Sequence, residues 1–103
     1  MGVAHKYDNL AVLEPQVETR KPQLYKVVMM NDDYTPMELV IEIIKTVFNK
    51  TTEEANRLTM EVHNRGAAVC GVYTRDVAET KSDLAIDIAR REEHPLQCLI
   101  EKE

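Results

Sequence analysis

The chain has 103 residues, enough for one domain with a single core and too few for two. Apolar residues make up 44%, which excludes disorder throughout, and no apolar run approaches the length of a membrane-spanning helix. The net charge is −5 with no cluster of Lys and Arg against it, so neither a nucleic acid nor a membrane surface is an expected partner.

Residues 1–22 differ from the rest of the chain. Scattered charges with Pro15 and Pro22 interrupt any periodicity, and only Leu10, Val12 and Leu13 are sticky. They read as a flexible N-terminal extension to a core domain over 23–103. Neither a secretory hydrophobic stretch nor an Arg-rich transit pattern opens the chain, which makes the cytoplasm the expected compartment.

The core alternates between two periods. Leu24-Tyr25-Lys26-Val27-Val28-Met29-Met30 is a strand candidate. A helix is predicted from about 36 to 48, where Met37, Val40, Ile41, Ile44, Val47 and Phe48 recur at steps of three and four. Thr35 is its expected N-cap, with Pro36 at the first helical position and Glu38 completing a capping box. A second helix at about 52–64 opens on Thr51-Thr52-Glu53-Glu54 and closes at Gly66. Residues 66–73 form a second strand. A third helix over about 75–92 has Thr74 as N-cap and Val77, Lys81, Leu84, Ala85 and Ile88 along one side. Leu96-Gln97-Cys98-Leu99-Ile100 is the last strand. The order β-α-α-β-α-β defines an α+β fold, a small two-layer sandwich of three helices on a three-stranded antiparallel sheet.

The segment between the first strand and the first helix concentrates polar chemistry. Asn31, Asp32 and Asp33 are wedged between two rigid elements, which suits acceptors aimed at a cationic group on an apolar body. The same residue types also favour plain tight turns, and that reading stands beside the first. Acid–base catalysis by the Asp pair lacks a Ser, Cys or Lys nucleophile nearby in sequence, so no enzyme activity is expected. His5, His63 and His94 follow no ligand spacing, so neither a metal nor a cofactor is expected. His63 shares a helix face with Thr59 and Val62; a histidine at a helix C-terminus is commonly a dipole partner or a half-buried packing residue. Cys70 and Cys98 lie in apolar strands and read as buried free thiols.

Asn31-Asp32-Asp33-Tyr34-Thr35-Pro36-Met37-Glu38, Val62-His63, Cys70-Gly71-Val72, Val77-Ala78-Glu79-Thr80-Lys81 and Glu93-His94-Pro95-Leu96 together resemble the ClpS family. That family comprises the bacterial N-end rule adaptors of the ClpA–ClpP protease. The similarity runs over about residues 24–103, in order and in register. It implies an adaptor that captures proteins whose first residue is Leu, Phe, Tyr or Trp and passes them to the unfoldase. By the same resemblance Asn31, Asp32 and His63 bind the substrate's α-amino group, and Asp33 shapes the negative field around them. Thr35, Met37, Val40, Val62 and Leu96 line the pocket for the first side chain, with Met37 as a gate against β-branched residues. Asp76, Glu79, Thr80 and Lys81 meet the N-terminal domain of the ClpA unfoldase. One pocket position departs from the family pattern: Thr59 stands where an apolar residue, commonly Met, is expected. Met60 cannot replace it, because one helical step turns it about 100° away. Two other classes remain on sequence grounds, an interaction module without a pocket and a small Asp/His hydrolase.

Overall fold

The computed structural model describes residues 21–103, and the expected extension therefore falls almost wholly outside the described residues. The described elements run in the order β1 (Leu24–Met30), α1 (Met37–Val47), α2 (Thr52–Arg65), β2 (Ala67–Thr74), α3 (Arg75–Arg91) and β3 (Gln97–Lys102). Among them, no helix is long and apolar enough to cross a membrane.

Alternation along β1 decides which side of the sheet meets the helices. β1 is the central strand, antiparallel to β2 on one side and β3 on the other. Successive side chains point to opposite faces. Val27 and Met29 are fully buried against the helices, whereas Val28 lies on the other face between its cross-strand partners Val69 and Leu99. The pairing slips between Val27 and Val28, leaving Cys70 as the extra residue of a bulge on β2.

All three helices cover one face. α1 buries Val40, Ile43, Ile44 and Val47, and α2 buries Ala55, Leu58, Thr59 and Val62. Each large aliphatic side chain so buried contributes about 1.5–3 kcal/mol. The ends of α2 form as its sequence predicts. The Thr51 side chain accepts from the Glu54 N–H, and Gly66 terminates the helix in the left-handed region at φ +89°.

Two expectations about helices need correction. Thr35 does not cap α1: Pro36 occupies the cap position, no side chain bonds the helix end, and the Thr35 hydroxyl donates to Asp32 instead. A charged acceptor three residues upstream outcompetes the helix end for that hydroxyl. On α3 the buried stripe is Ala78, Ser82, Ala85 and Ala89, while Val77 and Leu84 remain exposed. Small side chains let the helix axis approach the sheet closely, so the stripe of small residues wins the core face over the bulkier one.

Gly71 is required by a close approach. A Cβ there would collide with the hydroxyl of Tyr73, whose ring leans across that position toward Phe48, with ring centroids 6.5 Å apart. Lys81 completes this corner. Its ammonium lies 5.4 Å from the Tyr73 ring centroid and donates to the Val47 carbonyl at 2.6 Å, capping the C-terminus of α1.

Candidate functional site

The site forms where β1, α2 and the α3–β3 connection all end at one edge of the sheet. Met30 pairs with Ala67 of β2 and Gln97 of β3. One residue on, the Asn31 N–H donates to the Gly66 carbonyl at 2.9 Å, and the Gly66 N–H in turn donates to the Val62 carbonyl at 2.9 Å. These bonds bring the last turn of α2, carrying Val62 and His63, against the end of β1. Leu96 immediately precedes β3, so the pairing of Gln97 with Met30 carries Leu96 to the same edge. Its approach is shaped by Glu93 at φ +63° and by the His94 N–H donating to the Ala89 carbonyl at 2.9 Å.

The result is a cavity of about 250 Å3 lined by Asn31, Asp32, Asp33, Thr35, Met37, Val40, Thr59, Val62, His63 and Leu96, together with Met30. All ten residues assigned to the α-amino and side-chain positions therefore surround one hollow. Met30 is the addition. Its signal in the sequence was its place as the last strand residue before Asn31. The volume lies below the 300–1,000 Å3 usual for drug-sized ligands and suits about one side chain.

Depth sorts the lining by polarity. Asn31, Asp33 and His63 are exposed at the rim, and Met37 stands 39% exposed at the mouth. Val40, Val62, Leu96 and Thr59 form the buried part, each no more than 6% exposed. The rim offers acceptors, the deep part mostly apolar surface. The C-terminal end of α2 adds the negative pole of its macrodipole beside His63.

Asp32 holds the rim together. Its Oδ1 accepts from the N–H groups of Tyr34 at 2.8 Å and Thr35 at 2.7 Å, and its Oδ2 accepts from the Thr35 hydroxyl at 2.8 Å. Burial alone would raise its pKa. The bonds from the Thr35 N–H and hydroxyl and from Tyr34, with the nearby His94, outweigh burial and hold the carboxyl below its ordinary value of 3.8. Asp32 is thus an anchored anion. A carboxylate has about four acceptor positions, so three local donors leave one free. The turn reading and the ligand reading of this residue are compatible.

The residues assigned to the unfoldase lie at the opposite end. Asp76, Glu79 and Thr80 are exposed on the first turns of α3, which follows the Thr74 end of β2, opposite the start of β1 at Leu24. The length of β1, about 20 Å, separates them from the cavity. Within this patch Glu79 pairs with Arg75 at 3.3 Å, and Lys81 is half-buried with its ammonium on Val47.

The two cysteines lie outside the cavity lining. Cys70 and Cys98 are unpaired, with burial pushing their thiols up to about 12 and about 11, so neither is a thiolate nucleophile at neutral pH. Among the described residues, no group of three or more His, Cys, Asp and Glu could hold a metal ion. A small α+β sandwich with an acceptor-rimmed hollow at one end of its sheet has the form of a binding module.

Comparison with known proteins specifies which one. Residues 20–99 match the family model of the ATP-dependent Clp protease adaptor protein ClpS. The ClpS adapter of Caulobacter vibrioides is 53% identical over 102 residues, covering 99% of this chain and 94% of its own. That of Hyphomonas neptunium is 53% identical over 90 residues, covering 87% of this chain and 76% of its own. Among solved structures, Agrobacterium tumefaciens ClpS2 bound to L-phenylalaninamide superposes with a TM-score of 0.78 at 42% identity, covering 81% of this chain and all of that one. The chain belongs to the ClpS family of Clp protease adaptors, and it is an adaptor rather than an enzyme.

Proposed function

We propose that this adaptor captures proteins by a free, bulky apolar N-terminal residue (Leu, Phe, Tyr or Trp) seated in the cavity between Asn31 and Leu96. It then presents them to the ATP-dependent Clp protease in the cytoplasm. The observation that carries this reading is the vertical sorting of the cavity, acceptors above and aliphatic carbon below. An N-terminal ammonium brings three donors, met by the Asn31 side-chain oxygen, the free position on Asp32 and a neutral His63 nitrogen, in the negative field of Asp33. Bonds to a charged donor contribute about 1.5–3 kcal/mol each, and burial of one Leu or Phe side chain about as much again. After the cost of association a micromolar complex results, which suits a carrier that must release its cargo.

The ligand in the Agrobacterium relative supports the same chemistry, since L-phenylalaninamide is the first residue of a chain with its carboxyl blocked. Met37 at the mouth acts as the gate against side chains branched at Cβ. Asp76, Glu79, Thr80 and Lys81 form the patch for the N-terminal domain of the ClpA unfoldase. Its position at the far end of the sheet lets cargo and unfoldase bind together.

Acetylating the peptide tests the proposal directly. The modification removes the charge and two of the three donors while the acceptors stay in place, so affinity should fall by about 2–5 kcal/mol. Equal affinity for free and acetylated peptides would refute it and favour an interaction module that has no terminus-binding pocket.

A further inference from the structure

Among the described residues, one buried side-chain polar atom lacks any hydrogen-bond partner, Oγ1 of Thr59, and Thr59 is one of the residues that line the cavity. The residue is 3% exposed. Two other helical threonines, Thr46 and Thr80, spend their hydroxyls on the carbonyl four residues back, at 2.8 Å and 3.0 Å. Thr59 sits in a helix with the same opportunity at Ala55 and makes no such bond. Helical threonine divides between two χ1 wells, only one of which serves that carbonyl, and the alternative well leaves the hydroxyl free for another partner. A valine would fill the same volume without an unpaired oxygen. The unpaired hydroxyl therefore carries a cost that a bound polar group can remove.

Depth supplies the identity of that group. Thr59 lies one helical turn before His63, about 6 Å along the axis of α2. His63 is exposed at the rim and Thr59 is buried beneath it. A tyrosine held at the rim by its amino group extends its phenol oxygen toward this buried end of the lining. Phenylalanine has the same shape and ends in carbon. Leucine stops short.

Resting on the terminus-binding role of this cavity, we infer that Thr59 determines specificity by hydrogen-bonding the phenol of an N-terminal tyrosine, so that tyrosine is bound in preference to phenylalanine. The hydroxyl of Thr59 both donates and accepts, as does the phenol, so the pair can form in either sense. With phenylalanine in place Oγ1 stays unpaired.

The test uses the full chain and peptides identical from the second residue onward, beginning with free Tyr, Phe or Leu, and titrated by fluorescence anisotropy. The wild type should bind the Tyr peptide about three- to tenfold more tightly than the Phe peptide, the range of one neutral hydrogen bond. Thr59→Val should bring the Tyr-to-Phe ratio near one, and Thr59→Ser should retain the preference for Tyr. A ratio unchanged between wild type and Thr59→Val would overturn the inference, with free Phe binding in both proteins showing that the cavity still works. Loss of all binding by free peptides in the wild type would instead overturn the cavity reading and this inference with it. Far-ultraviolet circular dichroism of each variant establishes that it is folded.

Discussion

Replacing Asp32 by Ala removes one acceptor group that serves three donors, and the structure gives the scale of the loss. The bond from the Tyr34 N–H is exposed and water replaces it at little cost, whereas the two from Thr35 are partly buried. Bonds to a carboxylate contribute about 1.5–3 kcal/mol when shielded, and partial exposure lowers that, so Asp32→Ala should cost about 1–2 kcal/mol. For a domain of this size each kcal/mol moves the melting temperature by about 4–8 °C. Asp32→Asn keeps one oxygen to accept from the two N–H groups and should lose less than half as much, while both variants lose the charge that favours an ammonium.

The effect should also depend on pH in a definite direction. The folded carboxyl titrates below its ordinary 3.8, so its stabilisation is complete above that value and is lost as the pH falls through the lower folded value. Urea denaturation of wild type, Asp32→Ala and Asp32→Asn at neutral pH, repeated in acid, measures each term. The gap between wild type and the Ala variant should be full at neutrality and narrower in acid, because a protonated Asp32 still accepts from the two N–H groups. An Ala variant as stable as wild type at neutral pH would refute the assignment of Asp32 as the anchor of this turn, and a gap that widens in acid would refute the direction of its pKa shift.

Gly71→Ala should destabilise the fold by about 1–3 kcal/mol through overpacking against Tyr73, and Gly71→Ala with Tyr73→Leu should recover part of that loss in the same denaturation assay. Reversing charge at Asp76 and Glu79 together should leave peptide affinity within about twofold, since these exposed side chains are separated from the cavity by the length of β1, about 20 Å. Delivery of a Phe-initiated substrate to a reconstituted ClpA–ClpP protease should fall at least tenfold in that double variant. Undiminished delivery would exclude this end of α3 as the docking patch.

Where neighbouring residues settle the outcome, the sequence was sufficient. Thr51 with Glu54, and Gly66 at the end of α2, set the limits of that helix through bonds spanning three or four residues. The apolar run Leu24–Met30 likewise marked the first strand before any partner strand was known. The acidic turn after β1 was legible as a place where acceptors are held, though its two readings could not be separated by local rules. No spacing rule joins residues 31, 63 and 96 into one hollow; only the resemblance of the motifs to a known family placed them together. The structure supplies the physical cause, the chain of backbone bonds from Asn31 to Gly66 to Val62.

Competition between alternative partners, near or distant in the chain, was left to the folded structure. The hydroxyl of Thr35 could cap α1 or bond Asp32, and the carboxylate won. Either stripe of α3 could have faced the sheet. The alanine stripe did, because close approach of the helix axis outweighs the larger side chains of Val77 and Leu84. Lys81 has no partner that local spacing could name, yet thirty-four residues before it Val47 presents a carbonyl at the end of α1 that draws its ammonium inward. The unpaired hydroxyl of Thr59 is the same kind of fact: a sequence names the oxygen, and only the assembled fold determines whether it has a partner.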